Sequence, residues 1–261
     1  MVLNNKAAIV TGSTSGIGKG IALELARSGC NVMLNGFGDK GEIDSLVSGM
    51  ESEFGVKVLY SAADMSKAED IKNMVDLAVS EFGGVDILVN NAGIQHVDLV
   101  EDFPDEKWDA VIAINLSSAF HTIKNVMPVM KKQGRGRIIN IASAHGLVAS
   151  AKKIAYVAAK HGIVGLTKVI GLETAEENIT CNAICPGWVL TPLVQQQIDA
   201  IAAKEGVSIK DAELKLLSEK QPSKEFVRVE QIGELVVYLC GDGARLITGT
   251  AISMDGGWTA Q

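Results

Sequence analysis

The chain has 261 residues, enough to bury a sizeable core without disulfide or metal staples. Hydrophobic residues make up 47% and charged residues 21%, which excludes a largely disordered chain. The net charge of −7 argues against a basic nucleic-acid surface. No apolar run reaches the ~18 residues that a membrane span needs.

Short apolar runs alternate with longer helical patterns. Strands are predicted at residues 7–10, 31–35, 56–60, 85–89, 137–142, 179–184 and 250–254. Helices are predicted at 16–28, 39–54, 67–82, 105–132 (with Pro128 near its end), 154–177 and 229–240. Continuous apolar strands between helices define an α/β fold, a doubly wound parallel seven-stranded sheet with helices on both faces. No repeat or linker interrupts it, so residues 1–261 read as one domain. The stretch 191–227 breaks the rhythm with two short helical patterns. It lies beyond a strand end, where open α/β sheets bind ligands, and reads as a small helical lid.

Cys30, Cys181, Cys185 and Cys240 form no Cys-x-x-Cys pair and have no His cluster beside them, so no metal site is expected. Cys181 and Cys185 read as a strand end. Free thiols, and a polar start without a signal-peptide core, fit the reducing cytoplasm. The basic run Lys131 to Arg137 reads as a solvated turn rather than a nucleic-acid contact, and His96, His121 and His161 as structural or surface residues.

After the first strand comes Thr11-Gly12-Ser13-Thr14-Ser15-Gly16-Ile17-Gly18, which opens a helix. Glycines there allow a tight turn and let backbone N–H groups approach a pyrophosphate, favoured by the helix dipole. The spacing is G-x-x-x-G-x-G. Further along stand Asn90-Asn91-Ala92-Gly93 after the fourth strand, Asn115 in the long helix and Ser143 after the fifth strand. Tyr156-x-x-x-Lys160 lies on one helix, and Pro186-Gly187 follows the sixth strand. In this order, over the full length, the motifs resemble the short-chain dehydrogenase/reductase family. The resemblance implies a nicotinamide cofactor and a homotetramer.

Tyr156 and Lys160 are four apart and share a helix face. A free Tyr has a pKa of about 10, too high for a base at neutral pH. The neighbouring ammonium is expected to lower it, so that Tyr156 takes or gives the hydroxyl proton. Ser143 can fix the reacting oxygen, and Lys160 can also bond the nicotinamide ribose. By resemblance, Asn115 holds a water that relays protons to Lys160. The resemblance also places Gly12, Thr14, Ser15, Gly16, Ile17 and Gly18 on the cofactor. It adds Ala63 and Asp64, the latter reading the adenine, then Asn91 and Gly93, and finally Pro186, Gly187, Val189 and Thr191.

No acid stands at the end of the second strand, where Asn35-Gly36-Phe37-Gly38-Asp39 runs, and Asp39 comes late. No Arg or Lys occupies 13–15 or 36–37 to meet a 2′-phosphate; Lys40 is the nearby candidate. Phe37 can stack on the adenine. NAD is the expected cofactor.

The wording around Ser143–Gly162, Gln95-His96, Pro186–Val194 and the last seven residues is similar to family members that oxidise a small 3-hydroxy acid. That implies reversible, NAD-dependent oxidation of (R)-3-hydroxybutyrate to acetoacetate. Gln95, His145, Lys153 and Gln197 match the residues that bind the carboxylate, and Trp188 and Trp258 can wall off the methyl end. Blander readings stay open: Lys153 as a helix-start lysine, His145 as a loop cap, Gln197 on a solvated lid face, and an exposed Trp258 as an oligomer anchor. Two other functions compete, an NADPH-dependent 3-oxoacyl reductase and a non-catalytic dinucleotide-binding regulator.

Overall fold

The computed structural model describes residues 2–261, apart from the side chain of Leu193. Seven strands form one parallel sheet: β1 (Ala7–Val10), β2 (Asn31–Asn35), β3 (Val58–Ser61), β4 (Ile87–Asn90), β5 (Gly136–Ile141), β6 (Ile179–Pro186) and β7 (Ala251–Met254). Their order is β3-β2-β1-β4-β5-β6-β7. The chain winds outward from β1 to β3, returns to pair β4 with β1, and winds out the other way. The order therefore reverses between β1 and β4, and the crevice beyond the carboxyl ends of these strands is the binding position of this architecture.

The helices are α1 (Gly16–Arg27), α2 (Lys40–Phe54), α3 (Ala68–Phe82), α4 (Asp105–Ile112), α5 (Ser118–Gln133), α6 (Ile154–Glu173), α7 (Pro192–Glu205), α8 (Ile209–Ser218) and α9 (Val229–Cys240). Strand alternation feeds two cores. Ala8, Val10, Val32, Leu34, Ile87 and Val89 pack against Ile21 and Leu25 of α1 and Ile232, Val236 and Leu239 of α9. Ile9, Met33, Leu88 and Ile138, the intervening residues, pack against Met74 and Val75 of α3 and Ile123, Val126 and Met130 of α5. The five inner strands, β2, β1, β4, β5 and β6, thus bury both faces, which is why they read as unbroken apolar runs, while the edge strands β3 and β7 are only partly covered.

Four expectations need correction. The helix predicted over 105–132 is two helices joined by a π-helical turn, Ala113–Ser117, and Pro128 lies inside α5. The turn is held where Asn115 bonds the backbone of Ile94 through both ends of its amide. Helix α6 stops at Glu173, where Thr174 leaves the helical conformation and its buried hydroxyl reaches Ile179 O at the start of β6. Cys181 and Cys185 lie inside β6, which runs on to Pro186, and all four cysteines are buried and free.

The basic run is not simply a solvated turn. Arg137 starts β5 with no exposure and gives its guanidinium to Gly136 O, Asn178 O and Asn178 Oδ1. In the insertion, α7 and α8 share a small core of Val194, Ile198, Ala212 and Leu216. No helix among the described residues is long and apolar enough to cross a membrane.

Candidate active site

The glycine-rich turn is stitched to the turn after β4. The Thr11 hydroxyl accepts the N–H groups of Asn91 and Ala92, each at 3.0 Å. The Asn91 amide donates to Thr11 O and Gly12 O, each at 2.9 Å. Gly18 packs so close that a Cβ would run into the Gly12 carbonyl and the Asn91 amide. Asn35, fully buried, accepts from Gly12 N and donates to Ser61 O and Ala63 O, tying the ends of β1, β2 and β3 together.

No side chain caps α1, and no acid sits in its first turn. Its first N–H groups are free to meet an anion, so the residues present fit a dinucleotide pyrophosphate.

A cleft of about 520 Å³ opens over these turns. Gly12, Thr14, Ser15, Gly16, Ile17, Phe37, Ala63 and Asp64 line one end. Asn91, Gly93, Gln95, Ser143, Tyr156, Lys160, Pro186, Gly187, Val189 and Thr191 continue it. Gly18 faces the turn rather than the cleft. Asp64 is engaged with Ser66 N and Oγ, and these bonds hold its carboxyl below the usual range. Asp39 caps α2 through Glu42 N at 3.0 Å, and Lys40 pairs with Asp44. Lys160 is the cation among the described cleft residues, and it lies at the reacting end.

There, Lys160 is buried and donates to Ile141 O at 2.7 Å, its Nζ 5.5 Å from the centre of the Tyr156 ring. Burial lowers its pKa to about 8, with Cys185 opposing. The expected lowering of Tyr156 is not what this geometry produces. Burial raises the phenol, and the Ser143 hydroxyl offsets part of that. The Asn115 side chain, spent on Ile94, has its amide oxygen and one N–H engaged.

Beyond Tyr156 four side chains meet. The His145 ring lies 6.0 Å from Tyr156 and 5.0 Å from Trp258. Trp258 stacks on Trp188 at 6.2 Å, and Lys153 Nζ sits 5.6 Å from the Trp188 ring. Trp258 is 7% exposed, buried by its own chain, so the exposed-anchor reading fails. His145 is buried, shares a hydrogen bond with Ser150 through Nε2, and has its pKa pushed down to about 4 by burial and then by Lys153 and Lys220. Burial and Lys220 also lower Lys153. Lys220 was not singled out by the sequence, because nothing in its spacing ties it to Lys153. Its charge acts on both His145 and Lys153, and an anionic substrate would offset it. Gln197 lies on α7, half-buried, and no described contact brings it to this cluster.

A family model described as enoyl-(acyl carrier protein) reductase matches residues 12–259. The chain is 58% identical over 260 residues to the D-beta-hydroxybutyrate dehydrogenase of Cupriavidus necator, covering 100% of each. It is 55% identical to the enzyme of that name from Rhizobium meliloti, covering 98% of this chain and 99% of that one. Among solved structures, the L-sorbose reductase of Gluconobacter frateurii, complexed with NADPH and L-sorbose, superposes with a TM-score of 0.95 at 30% identity and covers 100% of both chains. The chain belongs to the short-chain dehydrogenase/reductase family.

Proposed function

We propose that the protein catalyses the reversible, NAD-dependent oxidation of (R)-3-hydroxybutyrate to acetoacetate. The observation that carries this reading is the cluster beside Tyr156 in which His145, Trp258, Trp188 and Lys153 meet. The names of its two bacterial relatives point the same way.

In this reading the acid's carboxylate is held by Lys153, neutral His145 and Gln95, with Gln197 delivered when the 191–227 lid closes. The methyl end rests on the two indoles. The Ser143 hydroxyl holds the reacting oxygen, and Tyr156 takes its proton as the phenolate, which the charges of Lys160 and of an oxidised nicotinamide would favour, and returns it as the phenol in the reverse direction. Bound NAD supplies a hydride acceptor and a positive ring. Lys160 adds its charge below the phenol and bonds the ribose. A water relay at Asn115 would use its backbone carbonyl, since its amide oxygen is spent on Ile94.

NAD rather than NADP is favoured because positions 13–15 and 36–37 hold no Arg or Lys and Lys40 is paired to Asp44, with Lys19 the cation that shares the hollow beside Phe37. Asp64 and Phe37 line the adenine end. The reading also includes one catalytic unit over residues 1–261, a cytoplasmic setting that suits four reduced thiols, and a homotetramer. Exposed Phe120 on α5 and Leu172 on α6 offer apolar surface to such an assembly.

The test is NADH formation by the purified protein with the (R) and (S) acids, and with NAD and NADP. Turnover confined to the (R) acid with NAD supports the reading. Preference for NADPH and a 3-oxoacyl thioester would replace it with the reductase alternative.

A further inference from the structure

The lid returns to the sheet through Gln221, whose side chain is 1% exposed and plays no part in the chemistry above. Its Oε1 accepts the backbone N–H of Trp188 at 2.8 Å, and its Nε2 donates to the carbonyl of Glu225. At Gly187 a Cβ would run into that same Oε1, and at Gly256 a Cβ would come within 2.7 Å of the Gln221 Cγ. One amide is thus wedged between the turn after β6, the lid's return and the C-terminal turn. The first of these carries Trp188 and the last carries Trp258.

Trp188 depends on such a hold. Its indole N–H is buried and bonds no described protein group. Its place rests on its backbone, which meets Gln221 through N–H and Val227 through C=O at 2.9 Å, and on the stack with Trp258.

We infer that Gln221 is a positioning residue that sets the separation of Trp188 and Trp258, and with it the chain length of the acid that the pocket accepts. The chain-length part rests on the proposed oxidation of 3-hydroxy acids; the setting of the indole pair does not.

The test uses two variants of the full chain. Gln221→Leu keeps the bulk and removes both bonds. Gln221→Glu keeps both while its carboxyl is protonated and loses the bond to Glu225 when it ionises. With NAD, kcat/KM is measured for (R)-3-hydroxybutyrate and (R)-3-hydroxyhexanoate. Gln221→Leu should move the ratio about tenfold toward the longer acid, the scale on which a hydrophobic pocket reads methylenes, chiefly through KM for the short one. On a Trp188→Ala background the same substitution should add nothing. In Gln221→Glu the ratio should drift toward the longer acid as pH rises. In the unaltered enzyme it should stay flat, because both acids carry the same charge.

Near-ultraviolet circular dichroism of the indole pair gives a readout without substrate. It should change in Gln221→Leu while NAD affinity does not. If Gln221→Leu fails to fold, the pH drift of Gln221→Glu decides. An unchanged ratio with an unchanged near-ultraviolet spectrum overturns the inference, as does a full effect on the Trp188→Ala background. If the unaltered protein oxidises neither acid, the activity reading and the chain-length claim fall together, and the spectrum alone decides whether Gln221 sets the pair.

Discussion

Lys160 donates to Ile141 O at 2.7 Å while its nitrogen lies 5.5 Å from the centre of the Tyr156 ring. The ammonium is therefore anchored to β5 beneath the phenol, as a fixed buried charge rather than a mobile partner. Burial brings it down to about 8, so the folded state holds this proton less tightly than the unfolded chain does. Below about 8 the native protein carries the cost of a buried charge. Between about 8 and the ordinary lysine value of 10.5 the unfolded chain binds the extra proton, so this group's contribution to stability rises with pH. Lys160→Met removes the charge. Its stability relative to the unaltered protein should be most favourable near neutral pH and should decline through that window, as measured by urea unfolding at stepped pH. A pH-independent difference would contradict the assignment.

Tyr156→Phe keeps the ring against His145 and removes the hydroxyl. If the phenol moves the proton, kcat should fall by about 10²–10⁴-fold, the usual worth of a general acid or base. NAD affinity, measured by fluorescence titration, should hold. Loss of both would mark the residue as a cofactor contact only.

Lys153→Met should raise KM for the acid by about ten- to a hundredfold, the scale of one hydrogen bond to a charged group, with a smaller change in kcat. Lys153 stands at the N-cap of α6 without capping it through its side chain, so the helix should survive. Equal losses in kcat and kcat/KM would instead place the ammonium in the transition state.

His145 has a pKa pushed down to about 4, so it stays neutral in the folded protein while the unfolded chain gains a proton below 6.5. Its contribution to stability is lost as pH falls from about 6.5 toward about 4. The melting temperature of His145→Gln should fall less over that window than that of the unaltered protein. Parallel melting curves would contradict the shift.

Gly38 has an ordinary negative-side backbone, and a Cβ there would meet Ile43 Cδ1 at 3.6 Å, a normal contact. Gly38→Arg should therefore fold and place a guanidinium near the ribose end. It should raise kcat/KM for NADP at least about tenfold, as a single charge-assisted bond allows. No gain with NADP would mean that the ribose lies elsewhere in the cleft.

Much of this molecule was legible in its sequence because its signals are local. Val10 and Ile9 feed opposite cores, so the strands read as continuous apolar runs, and the turns after β1, β4 and β6 carry their own glycines and asparagines. What escaped depends on contacts across the fold. The π-helical turn at Ala113–Ser117 follows from Asn115 meeting Ile94, and nothing in a run of helix formers announces it. Asn35 looked like a strand end, yet its amide joins three loops. Trp258 looked exposed at the end of the chain until the Asp255 turn folded it onto Trp188. Spacing shows Lys160 as a charge one turn from Tyr156, but not the burial that raises the phenol in the chain by itself.

The most direct measurement compares two reactions on one preparation: oxidation of (R)-3-hydroxybutyrate with NAD, and reduction of an acetoacetyl thioester with NADPH, each as kcat/KM. The lysines Lys153 and Lys220 beside His145, and the absence of Arg or Lys at 13–15 and 36–37, predict that the first exceeds the second by at least about a hundredfold, the product of one carboxylate contact and one missing phosphate contact. A larger value for the thioester with NADPH would contradict the account.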